Sequence, residues 1–250
     1  KTLGLYALAR IFFNVFGVHP AASMMLVVFA VLSMGVGSLM AFGQTDIKRL
    51  FAYSSISQVG YIALGLGVGT PLGILGALFH LVNHSVFKSL LFMTAGSIEH
   101  LTGTRDLRKI RGIAAICPVT GYSNLVASFS ICGIPPLGGF WSKLMIIYAC
   151  AVSGHTSLAI IAAVVAVMTM GYYFKFMTPV LFGTPAADAG TPRKGRLPLS
   201  MTLPMILLAG MCLASVLLIV PGFGAKLLMQ ATLVLGRGGY YSQLAMGLIQ

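Results

Sequence analysis

GIPPLGGFWSK, residues 133–143, interrupts an apolar stretch that runs from 117 to 152. Pro135 and Pro136 sit among Gly133, Gly138 and Gly139. No helix continues through such a run, because proline lacks an N–H and clashes with the preceding turn. A transmembrane helix needs ~20 apolar residues. The 36 residues from 117 to 152 are therefore too many for one straight crossing and barely enough for two. The break is either a turn between two spans or an interruption within one.

The rest of the chain decides between these. Residues 22–42, 51–69, 73–98, 157–183 and 201–221 read as spans, and 1–17 as a partial one. Three loops are basic: Lys48 and Arg49; Arg105, Arg108, Lys109 and Arg111; and Arg193, Lys194 and Arg196. Together they hold nine of the sixteen Lys and Arg residues, and basic loops collect on the cytoplasmic side. One broken span puts all three on one face, whereas two spans would put the third on the wrong one. The expectation is an all-α, polytopic transmembrane helix bundle with one broken helix at 117–152 and about seven spans within residues 1–221. Segments 43–50, 99–112 and 184–200 are expected to face the cytoplasm, with the loops near His19, Thr70 and His155 opposite. Residues 222–250, with Lys226 and Arg237, read as a C-terminal tail too short and glycine-rich for a further span. Residues 1–16 are apolar and helical in character, without the n-region and cleavage site of a signal peptide. The sequence is expected to start inside a helix and to be the C-terminal portion of a longer polypeptide.

Composition agrees with the membrane reading. Hydrophobic residues make up 58% of the 250 and charged residues 8%, against ~25% charged in soluble domains. Four acidic side chains, Asp46, Glu99, Asp106 and Asp188, cannot solvate a globular surface, which excludes a cytosolic enzyme, a disordered tail and a secreted scaffold. A net charge of +12 raises nucleic-acid binding, but that requires Lys and Arg gathered on a water-facing surface. Here they are scattered between apolar runs, so the partner is the lipid bilayer and no nucleic acid is expected. Cys117, Cys132, Cys150 and Cys212 have no CxxC or iron–sulfur spacing and read as small core residues. Gly65, Gly67 and Gly69 do not have the dinucleotide spacing. No cofactor is expected in this chain.

Five charges remain inside spans: Lys1, Arg10, Lys88, Lys143 and Lys175. A charge at mid-membrane costs ~3 kcal/mol or more. Lys175 and Arg10 lie near span ends and are expected to snorkel to the interface. Lys88 and Lys143 lie deeper. Residues 80–88 read HLVNHSVFK, so His80, His84 and Lys88 recur every four residues on one helix face. Neutral core histidines would be the plain explanation for one of them. Three titratable groups on one buried stripe point instead to proton handling, since burial disfavours an ammonium and histidine titrates near neutral pH. A metal site is disfavoured, because a protonated lysine is no ligand and no carboxylate accompanies the pair. Lys143 follows the prolines, where a helix break admits water. Ser54, Ser55, Ser57 and Gln58 on another span offer further polar groups to such a path.

QTDIKRLFAYSSISQVGYIALG (44–65), HLVNHSVFKSLLFMTAG (80–96) and GIPPLGGFWSK (133–143) together resemble the antiporter-like membrane subunits of respiratory complex I, membrane-bound hydrogenases and multi-subunit Na+/H+ antiporters. The likeness runs in order up to Gly183. It implies a fold with two inverted five-helix repeats, each with a broken helix, of which this chain holds the second. It implies that Lys88 is the central proton-relay lysine with His84 and His80 beside it, that Lys143 is the broken-helix lysine near the outer exit, and that Lys1 is a further relay lysine. The family's first-repeat glutamate–lysine pair has no match here, so either the sequence is incomplete or the protein does not pump as its relatives do. The implied function is proton (or Na+) translocation as a subunit of a complex I-like oxidoreductase or hydrogenase, in a bacterial or archaeal cytoplasmic membrane. Iron–sulfur, flavin or NiFe centres would then sit in partner subunits. A subunit of an Na+/H+ antiporter and a purely structural membrane subunit are the alternatives.

Overall fold

A computed structural model describes residues 2–15, 19–184, 197–220 and 224–236, all helices, turns and short connections apart from one isolated bridge between Asp46 and Asp106. The helices are α1 (Thr2–Arg10, continued by a π turn at Ile11–Val15), α2 (Pro20–Phe42), α3 (Ile47–Val68), α4 (Pro71–Thr102), α5 (Ile113–Ile116), α6 (Pro118–Cys132), α7 (Gly138–Val152), α8 (Thr156–Phe182), α9 (Leu199–Ala214, tightening to a 3-10 turn at Ser215–Ile219) and α10 (Ala225–Gly236). Among the described residues, α2, α3, α4, α8 and α9 with its 3-10 extension are long and apolar enough to cross a membrane.

Local signals set the ends. Asp46 accepts from the Arg49 amide at 2.9 Å and caps α3. That cap draws Lys48 and Arg49 into the first helical turn, so the loop expected at 43–50 closes at 46. Thr70 caps α4 through the Gly73 amide, with Pro71 just inside. Its far end extends beyond the expected 98 to Thr102, because Gly103 at φ 69° supplies the left-handed terminator there. Within the expected tail, residues 225–236 form a short helix that packs on α4.

The break is a single interrupted crossing. Ser97 on α4 hydrogen-bonds Thr120 on α6 at 2.7 Å, and Thr94 receives the Asn124 amide at 2.8 Å. Further along α4, Gly76 lies against Ile146 and Gly73 faces Ala149, both on α7. The two halves thus track one helix from end to end. Gly133, at φ 79°, ends α6 with amide bonds from Gly133 and Ile134 back to Phe129. Close approach at the joint needs a glycine, because a Cβ at Gly139 would overlap the Ser130 carbonyl oxygen.

Helix α4 is the core of the bundle and packs against α3, α6, α7, α9 and α10, while α2 lies outside α3. At one end Lys48 and Arg105 each reach Glu99 at 2.6 Å, which ties the start of α3 to the end of α4. Arg111 lies against Gly183 after α8, so the second basic loop and the start of the third share this face. Arg193, Lys194 and Arg196 themselves lie outside the described residues, as do Asp188 and Arg237. Cys132, Cys150 and Cys212 are buried in the packing, and Cys117 is half-buried.

Candidate functional site

His80, His84 and Lys88 form a stripe on the central helix with exposures of 0, 3 and 6%. At ~1.5 Å per residue they cover ~12 Å of depth, centred in a helix that runs from 71 to 102. Lys88 reaches across to α3. Its ammonium donates to the Phe51 carbonyl at 2.9 Å and to Ser54 Oγ at 2.6 Å, and lies 5.9 Å from the centre of the Phe51 ring. Ser54 in turn bonds Tyr173 of α8 at 3.2 Å. The serine-rich face of α3 therefore meets the lysine directly at Ser54. Ser55 turns back to the Phe51 carbonyl, and Ser57 bonds Ser38 on α2.

Lys143 is 3% exposed and turns back from α7 into the break, donating to the Ile131 carbonyl at 2.6 Å. Ile131 belongs to the last turn of α6, whose terminal carbonyls form the negative end of that helix. The Tyr61 ring centre lies 5.2 Å from the ammonium. The amine thus sits at the joint between α6 and α7. The cause is the long, flexible stem following the pull of the exposed helix end.

His80 connects the two arms. Its Nδ1 lies 2.8 Å from Ser142 Oγ, next to Lys143, and its ring packs 5.9 Å from Tyr61. Ser142 Oγ also lies 3.1 Å from the Gly139 carbonyl, a second acceptor for its one proton, and the other ring nitrogen of His80 is Nε2. That nitrogen is buried and makes no hydrogen bond within the described chain. The amides of Gln58 and Asn83 are in the same condition. Buried polar groups of this kind are satisfied by water. Asn83 lies at the break beside Gly138 and Ser215, so polar groups reach this joint from three helices. The His84 ring lies 5.5 Å from that of Phe87 on the same helix.

The structure therefore buries His80, His84, Lys88 and Lys143 on helices that pack together, with Ser142 joining His80 to the helix that carries Lys143. Lys1 lies outside the described residues. Lys175 is exposed and donates to the Phe42 carbonyl at the end of α2. Sequence reading passed over Tyr61, Tyr173 and Ser142. Ser142 was accessible from its place beside Lys143, whereas the tyrosines gave no signal beyond their type. Among the described residues no three His, Cys, Asp or Glu side chains gather as a metal ion would need.

A broken helix packed on a central helix that carries buried lysine and histidine defines an antiporter-like polytopic membrane protein. The chain belongs to the NADH:quinone oxidoreductase/Mrp antiporter transmembrane family, whose pattern matches residues 1–169. It is 36% identical over 182 residues to a D-type Na+/H+ antiporter subunit of Alkalihalophilus pseudofirmus, covering 72% of this chain and 37% of that protein. It is 35% identical over 216 residues to an N-type NADH-quinone oxidoreductase subunit of Desulforudis audaxviator, covering 81% of this chain and 43% of that protein. The fold superposes with a TM-score of 0.83 and 29% identity on a chain of the membrane-bound sulfane sulfur reductase, an archaeal respiratory membrane complex, covering 96% of this chain and 48% of that one. The chain thus spans about half the length of these relatives or less.

Proposed function

We infer that the chain is an ion-translocating subunit of a redox-driven membrane complex of the complex I or hydrogenase type. It moves protons along Lys88, His84, His80 and Lys143, with Lys1 as a further member of the relay. The observation that carries this reading is the placement of two buried ammonium groups on facing helices, with histidines between them and polar groups along the way. A buried charge costs ~3 kcal/mol or more, and Lys88, on an intact helix, has no structural duty that offsets it. His80 takes a proton at one ring nitrogen and gives one up at the other, with Ser142 at its Nδ1 holding the ring beside the helix that carries Lys143. Lys88 and Lys143 hold and release the proton at either end of this arm.

Other membrane subunits of a multi-subunit complex are the partners, and the redox centres, whether iron–sulfur, flavin or NiFe, reside in them and not in this chain. The membrane is a bacterial or archaeal cytoplasmic one, with the Lys48, Arg105 and Arg111 face inward. Similarity to the oxidoreductase subunit and to the sulfane sulfur reductase supports the redox-driven reading. Similarity to the antiporter protein of Alkalihalophilus pseudofirmus supports a second one, in which the chain serves an Na+/H+ antiporter.

Proteoliposomes of the purified complex separate the two. Proton uptake started by an electron donor and insensitive to an Na+ gradient is the expected result. Proton movement driven by an Na+ gradient without a donor would transfer the chain to the antiporter reading. A complex that moves no ion under either condition would overturn both.

A further inference from the structure

A groove of about 350 Å³ opens at the basic face between the end of α2, the loop after α4 and the last turns of α8. Lys175, Arg108 and Arg111 line it, and no carboxylate does. Arg108 is committed to Asp106 by two hydrogen bonds of 3.0 and 2.8 Å. The other two cations are only lightly held. Lys175 makes one 3.3 Å bond to the Phe42 carbonyl, and one nitrogen of Arg111 makes two 3.3 Å bonds to carbonyls of its own loop. A guanidinium has five donors and an ammonium three, so both retain donors for an anion.

Gln44 and Thr45 are the uncharged polar side chains of the lining besides Tyr172, and most of the rest is apolar. Leu50, Tyr172, Phe176 and Val180 are buried and form its floor, with Phe42 and Pro179 at the side. Lys175 lies on a lipid-facing side of α8 beside Phe174, which is 42% exposed. The site therefore pairs cations at the level of the helix ends with an apolar floor on a helix that faces lipid. A soluble anion has no use for that floor. A phospholipid uses both parts, with phosphate on the cations and acyl chain on the aromatic and aliphatic wall.

We propose that this groove is a binding site for an anionic phospholipid, with Lys175 and Arg111 as its phosphate ligands. Basic pockets between transmembrane helices favour anionic headgroups, at ~1 kcal/mol per cation. Occupied in this way, the lipid bridges the end of α2 to α8 and takes over the Lys175 contact to Phe42. The site is independent of the proton-relay reading.

Native mass spectrometry of the protein purified with its partner subunits in mild detergent tests this. Dioleoyl phosphatidylglycerol, dioleoyl phosphatidylcholine and inorganic phosphate are added in separate arms. Retention of phosphatidylglycerol over phosphatidylcholine is expected, with no displacement by millimolar phosphate. Lys175→Gln with Arg111→Gln is expected to weaken that retention roughly 30-fold, and Lys175→Gln alone, at an exposed position, about fivefold. Lys175→Arg should restore it. Lys109→Gln removes the same charge from the same face outside the groove and should leave it unchanged. Equal retention of the two lipids, an equal effect of Lys109→Gln, or displacement by phosphate would each overturn the assignment.

Discussion

Lys88 and Lys143 solve one problem in two ways. Each is a buried ammonium that donates to a main-chain carbonyl of another helix and lies beside an aromatic ring. Lys88 approaches the continuous helix α3, where the Phe51 carbonyl also accepts from Ser54 and Ser55. Lys143 approaches the end of a helix, where the Ile131 carbonyl has lost its intrahelical partner to the break. The first lysine is thus held in a crowded hydroxyl environment that structure does not require. The second stabilises the broken helix as well as taking part in any relay. A buried charge at a helix break therefore has a structural duty that one on an intact helix lacks, and the two should respond differently to the same substitution.

The largest effect is expected at the joint itself. Gly139→Ala places a methyl group into the Ser130 carbonyl, so the halves of the broken helix must separate and folded protein should be lost, as read by yield and monodispersity in detergent. If the variant assembles normally, the joint is looser than the packing implies and the distinct role of Lys143 falls with it. Lys88→Met is next. It keeps the apolar stem and removes the proton carrier, so coupled transport should fall by roughly 100-fold while the melting temperature holds. Lys88→Arg should transport no better, since a guanidinium does not release its proton.

Lys143→Met should lower transport and also the melting temperature by several degrees, because a cation at a helix C-terminus is worth up to ~2 kcal/mol. Lys143→Arg separates the two duties: stability returns and transport does not. Equal melting temperatures for the Lys88 and Lys143 methionine variants would remove the contrast. Ser142→Ala takes the partner from His80 Nδ1 and should slow transport several-fold with little change in stability, seen in the same vesicles.

The smallest effect is expected far from both lysines. The Arg108 guanidinium and backbone amide hold the Asp106 carboxyl down from 3.8 to about 2. A lowered carboxyl contributes stability above its ordinary value and loses it as pH falls through about 2. Asp106→Asn should therefore cost little at neutral pH, because exposed pairs contribute little, and nothing at all in strong acid.

Much of this was legible in the sequence. The prolines at 135 and 136 marked the break, and the four-residue rhythm of His80, His84 and Lys88 placed three groups on one face. The structure adds that the helices sort by polarity. The serine-bearing α3 and the histidine-bearing α4 are the buried ones, while α2, α8 and α9 turn leucine, valine and methionine outward. What could not be read is what the lysines touch. The Phe51 and Ile131 carbonyls are main-chain groups, present at every position and marked by no residue type. The direction of Lys143 was hidden for the same reason, since it is set by the end of α6 and not by its own position in α7. Helix boundaries at 47 and 102 moved because a cap and a left-handed glycine act on backbone, beneath the resolution of hydrophobic patterning. The helix at 225–236 lies in the expected tail, its apolar run too short to read as a span.

Proton pumping by the whole complex in proteoliposomes, recorded together with its redox rate, tests the relay most directly when Lys88→Met and Lys143→Met are compared with the wild type. Pumping should collapse in both variants while the complex stays assembled, with a lowered melting temperature in the second alone. Unchanged pumping in both, with the complex intact, would contradict the relay and leave these lysines as structural groups.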